Sequence, residues 1–186
     1  MLYTGTGDDG KTTLFGCDQR LSKSSKVAEA LGNLDELNSF LGVCKMAMLE
    51  DNIGLEVLDK KVSYTDIVAG LQQDLFVLQA ETAGADKKID TDRVVKLETL
   101  IESASALLPK IETFLVAGGS ELSARLDYAR AIARRAERSL VAVKEEGVVS
   151  IGDGSLAYSN RLSSLLYVLA RLANAKLGVI EETPKY

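Results

Sequence analysis

Arg130, Arg134, Arg135, Glu137 and Arg138 crowd into one part of the segment Ser120–Gly147, SELSARLDYARAIARRAERSLVAVKEEG. Guanidinium groups at this density bind anions, phosphates above all, because each carries a permanent charge and a planar fork of N–H donors. At about 100° per residue, Leu122, Leu126, Ala129, Ala133, Ala136 and Leu140 fall on one side of a helix, and Arg130, Arg134 and Glu137 share the strip beside it. The whole chain has a net charge of −5, so this is a local reversal of sign. The plainer alternative is a solvated face on which Glu137 pairs with Arg134 and with Arg130, each pair worth ~0.3–0.5 kcal/mol.

A second segment of anion-binding character opens the chain. Gly5-Thr6-Gly7-Asp8-Asp9-Gly10-Lys11-Thr12 satisfies the phosphate-loop pattern GxxxxGK followed by Ser or Thr. A true P-loop needs a buried strand before it and a parallel sheet around it, and the rest of this chain reads as helices. The glycines still permit close approach of backbone to phosphate; Thr4, Thr6, Thr12 and Thr13 offer hydroxyls, and Lys11 and Lys23 offer charge. Asp8 and Asp9 suit turns, or a cation that accompanies phosphates. The alternative is an N-terminal tail without a ligand. A third polar set, Asn160, Ser164, Tyr167, Arg171 and Asn174, forms a stripe on the last helical segment, which is otherwise rich in leucine. A solvent-facing stripe is its plain explanation, although Asn and Tyr are unusual there. Asn160 suits either a nucleotide contact or a helix cap.

Composition narrows the chemistry. There is no histidine among the 186 residues, which excludes a Ser-His-Asp triad, His-ligated zinc and an imidazole acid or base. An enzyme built on this chain would need little proton transfer. The acidic balance argues against nucleic acid or an anionic membrane as the main partner. Cys17 and Cys44 are too few for a disulfide framework and have no CxxC spacing for zinc, which fits a reducing compartment. No apolar run reaches the length of a membrane span or signal peptide, so the expected location is the cytoplasm.

The elements that must position these residues follow from periodicity. Residues 1–24 show no lasting period and read as a glycine-rich loop or extended arm. A helix is predicted through Val27, Ala30, Leu31, Leu34, Leu37, Leu41, Cys44 and Met48, ending near Asp51–Gly54. A second starts at Leu55 or at Ser63 and runs to Thr82. A third starts at Asp90 or Asp92 and is stopped by Pro109. The run Phe114–Ala117 leads into a flexible turn at Gly118–Gly119, and Ser120 is the expected N-cap of the Arg-rich helix. The last helix spans Ser155–Leu177, with Gly178 past its end. The expectation is an all-α chain of one domain, residues 1–186: a nucleotide-binding arm, 1–24, and a five-helix up-and-down bundle, 25–178.

The motifs YTGTGDDGKTTLFG, ALGNLDELNSFLG, LQQDLF, FLVAGG, ARAIARRAER and YSNRLSSLLYVLAR, spread from Tyr3 to Arg171, resemble the ATP:cob(I)alamin adenosyltransferases of the propanediol-utilisation type. The resemblance implies a five-helix bundle, a homotrimer with active sites between subunits, and transfer of the adenosyl group of ATP, with Mg²⁺, to a reduced corrinoid, cobalamin. It implies that Thr4, Gly5, Thr6, Gly7, Thr12, Thr13 and Lys23 hold the triphosphate. Arg130, Arg134, Arg135, Glu137, Arg138 and Asn160 would complete the ATP site from the neighbouring subunit. Asp35 would pair with Arg130 across that interface, and Phe114 and Tyr167 would line the corrinoid side. A flavin reductase and an adenosylcobalamin-dependent mutase are the implied partners. The sequence departs from the family pattern at Gly5, where a basic residue is usual, at Ser164 (Asp), at Tyr167 (Phe) and at Ala117 (Pro). A carrier or regulatory bundle that binds ATP and corrinoid without turnover, or a P-loop hydrolase, are the other readings.

Overall fold

The computed structural model describes residues 3–14, 20–51, 54–58 and 60–186; Cys17 lies outside them. Five helices carry the architecture: α1 (Lys26–Asp51), α2 (Tyr64–Thr82), α3 (Thr91–Ser105), α4 (Glu121–Glu146) and α5 (Asp153–Lys176). Two short antiparallel hairpins accompany them, β1 (Lys11–Thr13) with β2 (Arg20–Ser22), and β3 (Gly54–Val57) with β4 (Lys60–Ser63). α4 packs against both α1 and α5, α1 also packs against α2, and α3 lies along α5. Arg125 reaches Val43 and Arg135 reaches Asn33, so α1 and α4 run antiparallel. Glu137 meets Asn160 and Lys144 meets Asp153, so α4 and α5 do too. Asp74 meets Tyr158 and Glu81 meets Ser155, which reverses α2 against α5, whereas α3 runs parallel to α5. Directions therefore alternate along the chain, as in the expected up-and-down bundle.

The apolar stripes meet in one core that includes Leu34, Leu41, Leu75, Leu126, Leu140, Leu165 and Leu169. Ile132 and Val143 widen the buried face of α4 beyond the expected six residues. Cys44 is fully buried, and burial pushes its thiol up to about 11 against the opposing pull of Arg125, so it stays a protonated packing group.

Capping sets the helix limits. Ser63 Oγ accepts from Asp66 N at 3.0 Å, which fixes the start of α2 at the later of its two candidate positions. The earlier candidate, Leu55, lies in the second hairpin, where Leu55 faces Val62 and Glu56 faces Lys61. Asp90 caps α3, and Ser120 caps α4 with its Oγ 3.2 Å from Ser123 N. α3 ends at Ser105, short of Pro109: Leu107 and Leu108 turn back onto Ala104 O and Ser105 O in tighter turns, and proline disfavours helical geometry in the residue before it. Gly147 and Gly178, at φ 73° and 69°, close α4 and α5 as left-handed residues. α5 begins two residues earlier than its sequence period, and its Gly152 cap has no side chain to offer. The buried carboxylate of Glu81 on α2 supplies the cap, accepting from Gly152 N at 2.8 Å and from the Ser155 hydroxyl.

Candidate active site

α4 turns one strip of its charged side towards α5 and the connection 106–120. Arg130 places its guanidinium 5.7 Å from the centre of the Tyr167 ring, within cation–π range. Its Nε is buried without a hydrogen bond among the described residues and lies 3.7 Å from Asp127 Oδ1. Arg134, one turn on, is exposed. Phe114 and Leu115 of the connection, Arg130 and Arg134 of α4, and Ser164 and Tyr167 of α5 line a cleft of about 410 Å³. A neighbouring cleft of about 570 Å³, under Leu108 and Pro109, shares Ile111, Ser164 and Tyr167 with it. The cleft thus joins cationic donors to an aromatic and aliphatic wall.

The pairing of Glu137 with Arg134 and Arg130 does not occur among the described residues. Glu137 Oε1 instead accepts from Asn160 Nδ2 at 2.9 Å, and Asn160 Oδ1 accepts from Arg161. Asn160 therefore ties α5 to α4 and is not a helix cap. Arg134 and Arg138 make no ion pair among the described residues, so their charge is available to a ligand. Arg135 is set apart, because the next residue on a helix points about 100° away. Its Nε donates to Asn33 Oδ1 at 3.1 Å and its Nη2 bonds the Glu36 carboxylate on α1. Asp35 is exposed on α1, and within one chain Arg130 faces Asp127.

Phe114 is 77% exposed, so its ring is not part of the core. The backbone holds it in place. Val116 N donates to Glu182 O at 2.8 Å, Gly118 N to Asp127 Oδ2 at 2.9 Å, and Asn174 Nδ2 to Gly118 O at 2.7 Å. Gly118 and Gly119 have φ of 108° and 113°, and a Cβ on Gly119 would lie 2.8 Å from the Asn174 amide. The expected flexible turn is thus pinned. The polar stripe of α5 is not solvent-facing at this end: Asn174 is buried, and Arg171, also buried, bonds Glu181 at 3.0 Å and the Pro109 carbonyl. Sequence reasoning missed Asp127, Glu181 and this role of Arg171, and only the odd stripe hinted at it.

The arm folds back on itself. Thr4 and Thr6 share a hydroxyl contact of 2.8 Å, Lys23 Nζ donates to Gly7 O at 2.8 Å, and Gly5 takes a φ of 70°. Asp9 behaves as a turn former, accepting from Lys11 N and pairing with Arg20, a cation the sequence had not singled out. Lys11 and Thr12 lie in β1, paired antiparallel with β2, whereas a P-loop would place them at a helix start. The phosphate-loop pattern is therefore not a P-loop. Thr12 and Thr13 border a groove of about 590 Å³ with Leu31 and Phe76, and among the described residues this groove shares none with the arginine cleft.

The sequence profile of the cobalamin adenosyltransferases matches residues 2–173. Corrinoid adenosyltransferase PduO of Salmonella typhimurium strain LT2 is 35% identical over 99% of this chain and 54% of its own length. The PduO of Citrobacter freundii is 37% identical over 91% and 49%. The chain thus spans about half the length of these two. A corrinoid adenosyltransferase of Bacillus subtilis is 38% identical, covering 96% of this chain and 89% of the relative. Among solved structures, a phenylalanine-to-alanine variant of a PduO-type ATP:corrinoid adenosyltransferase from Lactobacillus reuteri, complexed with cobalamin and ATP, superposes with a TM-score of 0.83 at 29% identity and covers 100% of both chains. An arginine-to-lysine variant of a PduO-type enzyme from the same organism, complexed with ATP, gives 0.83 at 28% identity, over 99% and 100%. With its bundle, its cleft and a profile match over nearly its whole length, this chain belongs to the cobalamin adenosyltransferase family.

Proposed function

We propose that the chain transfers the 5′-deoxyadenosyl group of ATP to cob(I)alamin, giving adenosylcobalamin and triphosphate. The observation that carries this is the single cleft in which Arg130 and Arg134 face Phe114 and Tyr167. It offers cations for a polyphosphate and a rigid apolar wall for a corrinoid.

The reduced corrinoid is the nucleophilic substrate: its electron pair forms the bond to C5′, and triphosphate leaves with the bonding pair of the C5′–O bond that breaks. No general base takes part, which agrees with a chain lacking histidine. What the side chains supply is in-line positioning and neutralisation of the leaving group. A well-placed donor is worth ~3–4 kcal/mol in the transition state, by comparison with one oxyanion-hole donor. Arg134 is best placed for this, with Arg130 beside it and Arg138 one turn on. Glu137 and Asn160 hold the two helices in register. Among the described residues no three His, Cys, Asp or Glu side chains cluster for a metal, so Mg²⁺ would enter on the triphosphate itself.

Thr4, Gly5, Thr6, Gly7, Thr12, Thr13 and Lys23 form the other wall of the nucleotide site in this reading. The arm groove and the arginine cleft are separate within one chain, so the wall comes from a second copy, with Asp35 meeting Arg130 across the interface of a homotrimer. Arg135, engaged with Asn33 and Glu36 of α1, would complete the site from beside that interface. Residues 1–186 act as one domain in the cytoplasm, between a flavin reductase that supplies electrons and a mutase that uses the product.

Protein incubated with ATP, Mg²⁺ and chemically reduced cobalamin is expected to yield the light-sensitive absorbance of a cobalt–carbon bond. Binding of both substrates without that product would make the chain a carrier. Sustained release of ADP and phosphate without corrinoid would make it a hydrolase.

A further inference from the structure

We infer that Asp127 is a positioning residue that fixes the two walls of the cleft to each other, one with each carboxylate oxygen. Its Oδ2 accepts from Gly118 N at 2.9 Å, and its Oδ1 faces Arg130 Nε at 3.7 Å. The side chain is only 11% exposed. The inference rests on reading the cleft as the adenosyl-transfer site.

Each contact lies where little else can act. Phe114 projects from the molecule, so its place is set by the backbone of its connection and not by packing of its ring. Four residues later, Gly118 is gripped at both polar groups, its N–H by Asp127 and its carbonyl by Asn174 and by Ser123 Oγ at 3.1 Å. On the other wall, the buried Arg130 Nε has no hydrogen-bond partner among the described residues, and Asp127 is the carboxylate that stands before it. An ionised carboxylate accepts at both oxygens and orients a guanidinium more firmly than a neutral acceptor does. Asp127 therefore presents the outer nitrogens of Arg130 to the cleft while holding the chain that carries Phe114. Loss of either contact would move one wall relative to the other.

The two contacts separate experimentally. In Asp127→Asn the amide oxygen still accepts from Gly118 N, but its NH₂ presents a donor, and no charge, to Arg130. Asp127→Ala removes both contacts. Inorganic triphosphate is the probe for the arginine wall. Amide exchange at Gly118 and the electron spin resonance of bound cob(II)alamin are the probes for the other. The asparagine variant is expected to keep wild-type exchange and spectrum while binding triphosphate about tenfold more weakly. The alanine variant is expected to lose all three. Parallel losses of triphosphate and corrinoid binding in both variants, in step with melting temperature, would reduce Asp127 to a fold residue. Unchanged Gly118 exchange in the alanine variant, or unchanged or tighter triphosphate binding in the asparagine variant, would equally overturn the inference. Should the alanine variant fail to fold, the asparagine variant decides. If wild-type protein forms no adenosylcobalamin, the reading of the cleft fails, while exchange and triphosphate titration still judge Asp127.

Discussion

Arg134 and Phe114 contribute little to the bundle because both are exposed, so their substitution separates function from stability. Arg134→Ala is expected to melt within ~0.5 kcal/mol of wild type, as exposed substitutions do, while losing most turnover. Near-native turnover in that variant would remove Arg134 from the site. Phe114→Ala is expected to keep ATP binding and fold, but to bind cob(II)alamin in a five-coordinate state visible by electron spin resonance, with poor turnover. A rigid ring at position 114 held against a bound corrinoid would exclude water and base from it and so ease its reduction. Bound corrinoid that stays four-coordinate would return Phe114 to an ordinary surface residue. Arg134 was legible as a site candidate because helical spacing puts it beside, not within, the buried face. The resemblance groups Arg135 with the ATP site, and its partners Asn33 and Glu36 were not legible, since their contact spans about a hundred positions.

The helices were readable because their apolar spacing repeats for many turns and their caps are local: Ser63, Asp90, Ser120, Gly147 and Gly178 sit where short-range rules put them. The hairpin at 54–63 escaped because Leu55 and Val62 match a helical spacing as well as a strand pair. The start of α5 escaped for another reason: its cap comes from Glu81, far away in sequence. Glu81→Ala would leave Gly152 N and the Ser155 hydroxyl without their acceptor inside the protein, at ~1.5–3 kcal/mol. A melting temperature unchanged by that substitution would show that the α5 terminus is satisfied otherwise. In the arm, the P-loop pattern misled because letters alone do not specify whether Lys11 enters a helix or a strand.

Taken whole, and in the proposed reading, the chain would present half a nucleotide site on each of two faces. Size measurement is expected to show a trimer, and Asp35→Ala and Arg130→Ala should each lower activity, with a double mutant clearly less than additive. Additive losses would mean that the two residues never meet. The last residues of the structure also serve the cleft, because Glu181 pairs with the buried Arg171 and Glu182 receives the amide of Val116. Glu181→Ala strands a buried charge and is expected to cost ~3–5 kcal/mol; a loss below ~1 kcal/mol would show that water replaces the carboxylate. The order of synthesis gives this contact a further meaning. The segment with Phe114 leaves the ribosome roughly 60 residues before Glu181 does, a wait of several seconds at ~5–20 residues per second. Through most of that interval the connection lacks a complete α5, and through all of it the tail, to hold it. The cleft therefore cannot set before the end of the described chain has emerged.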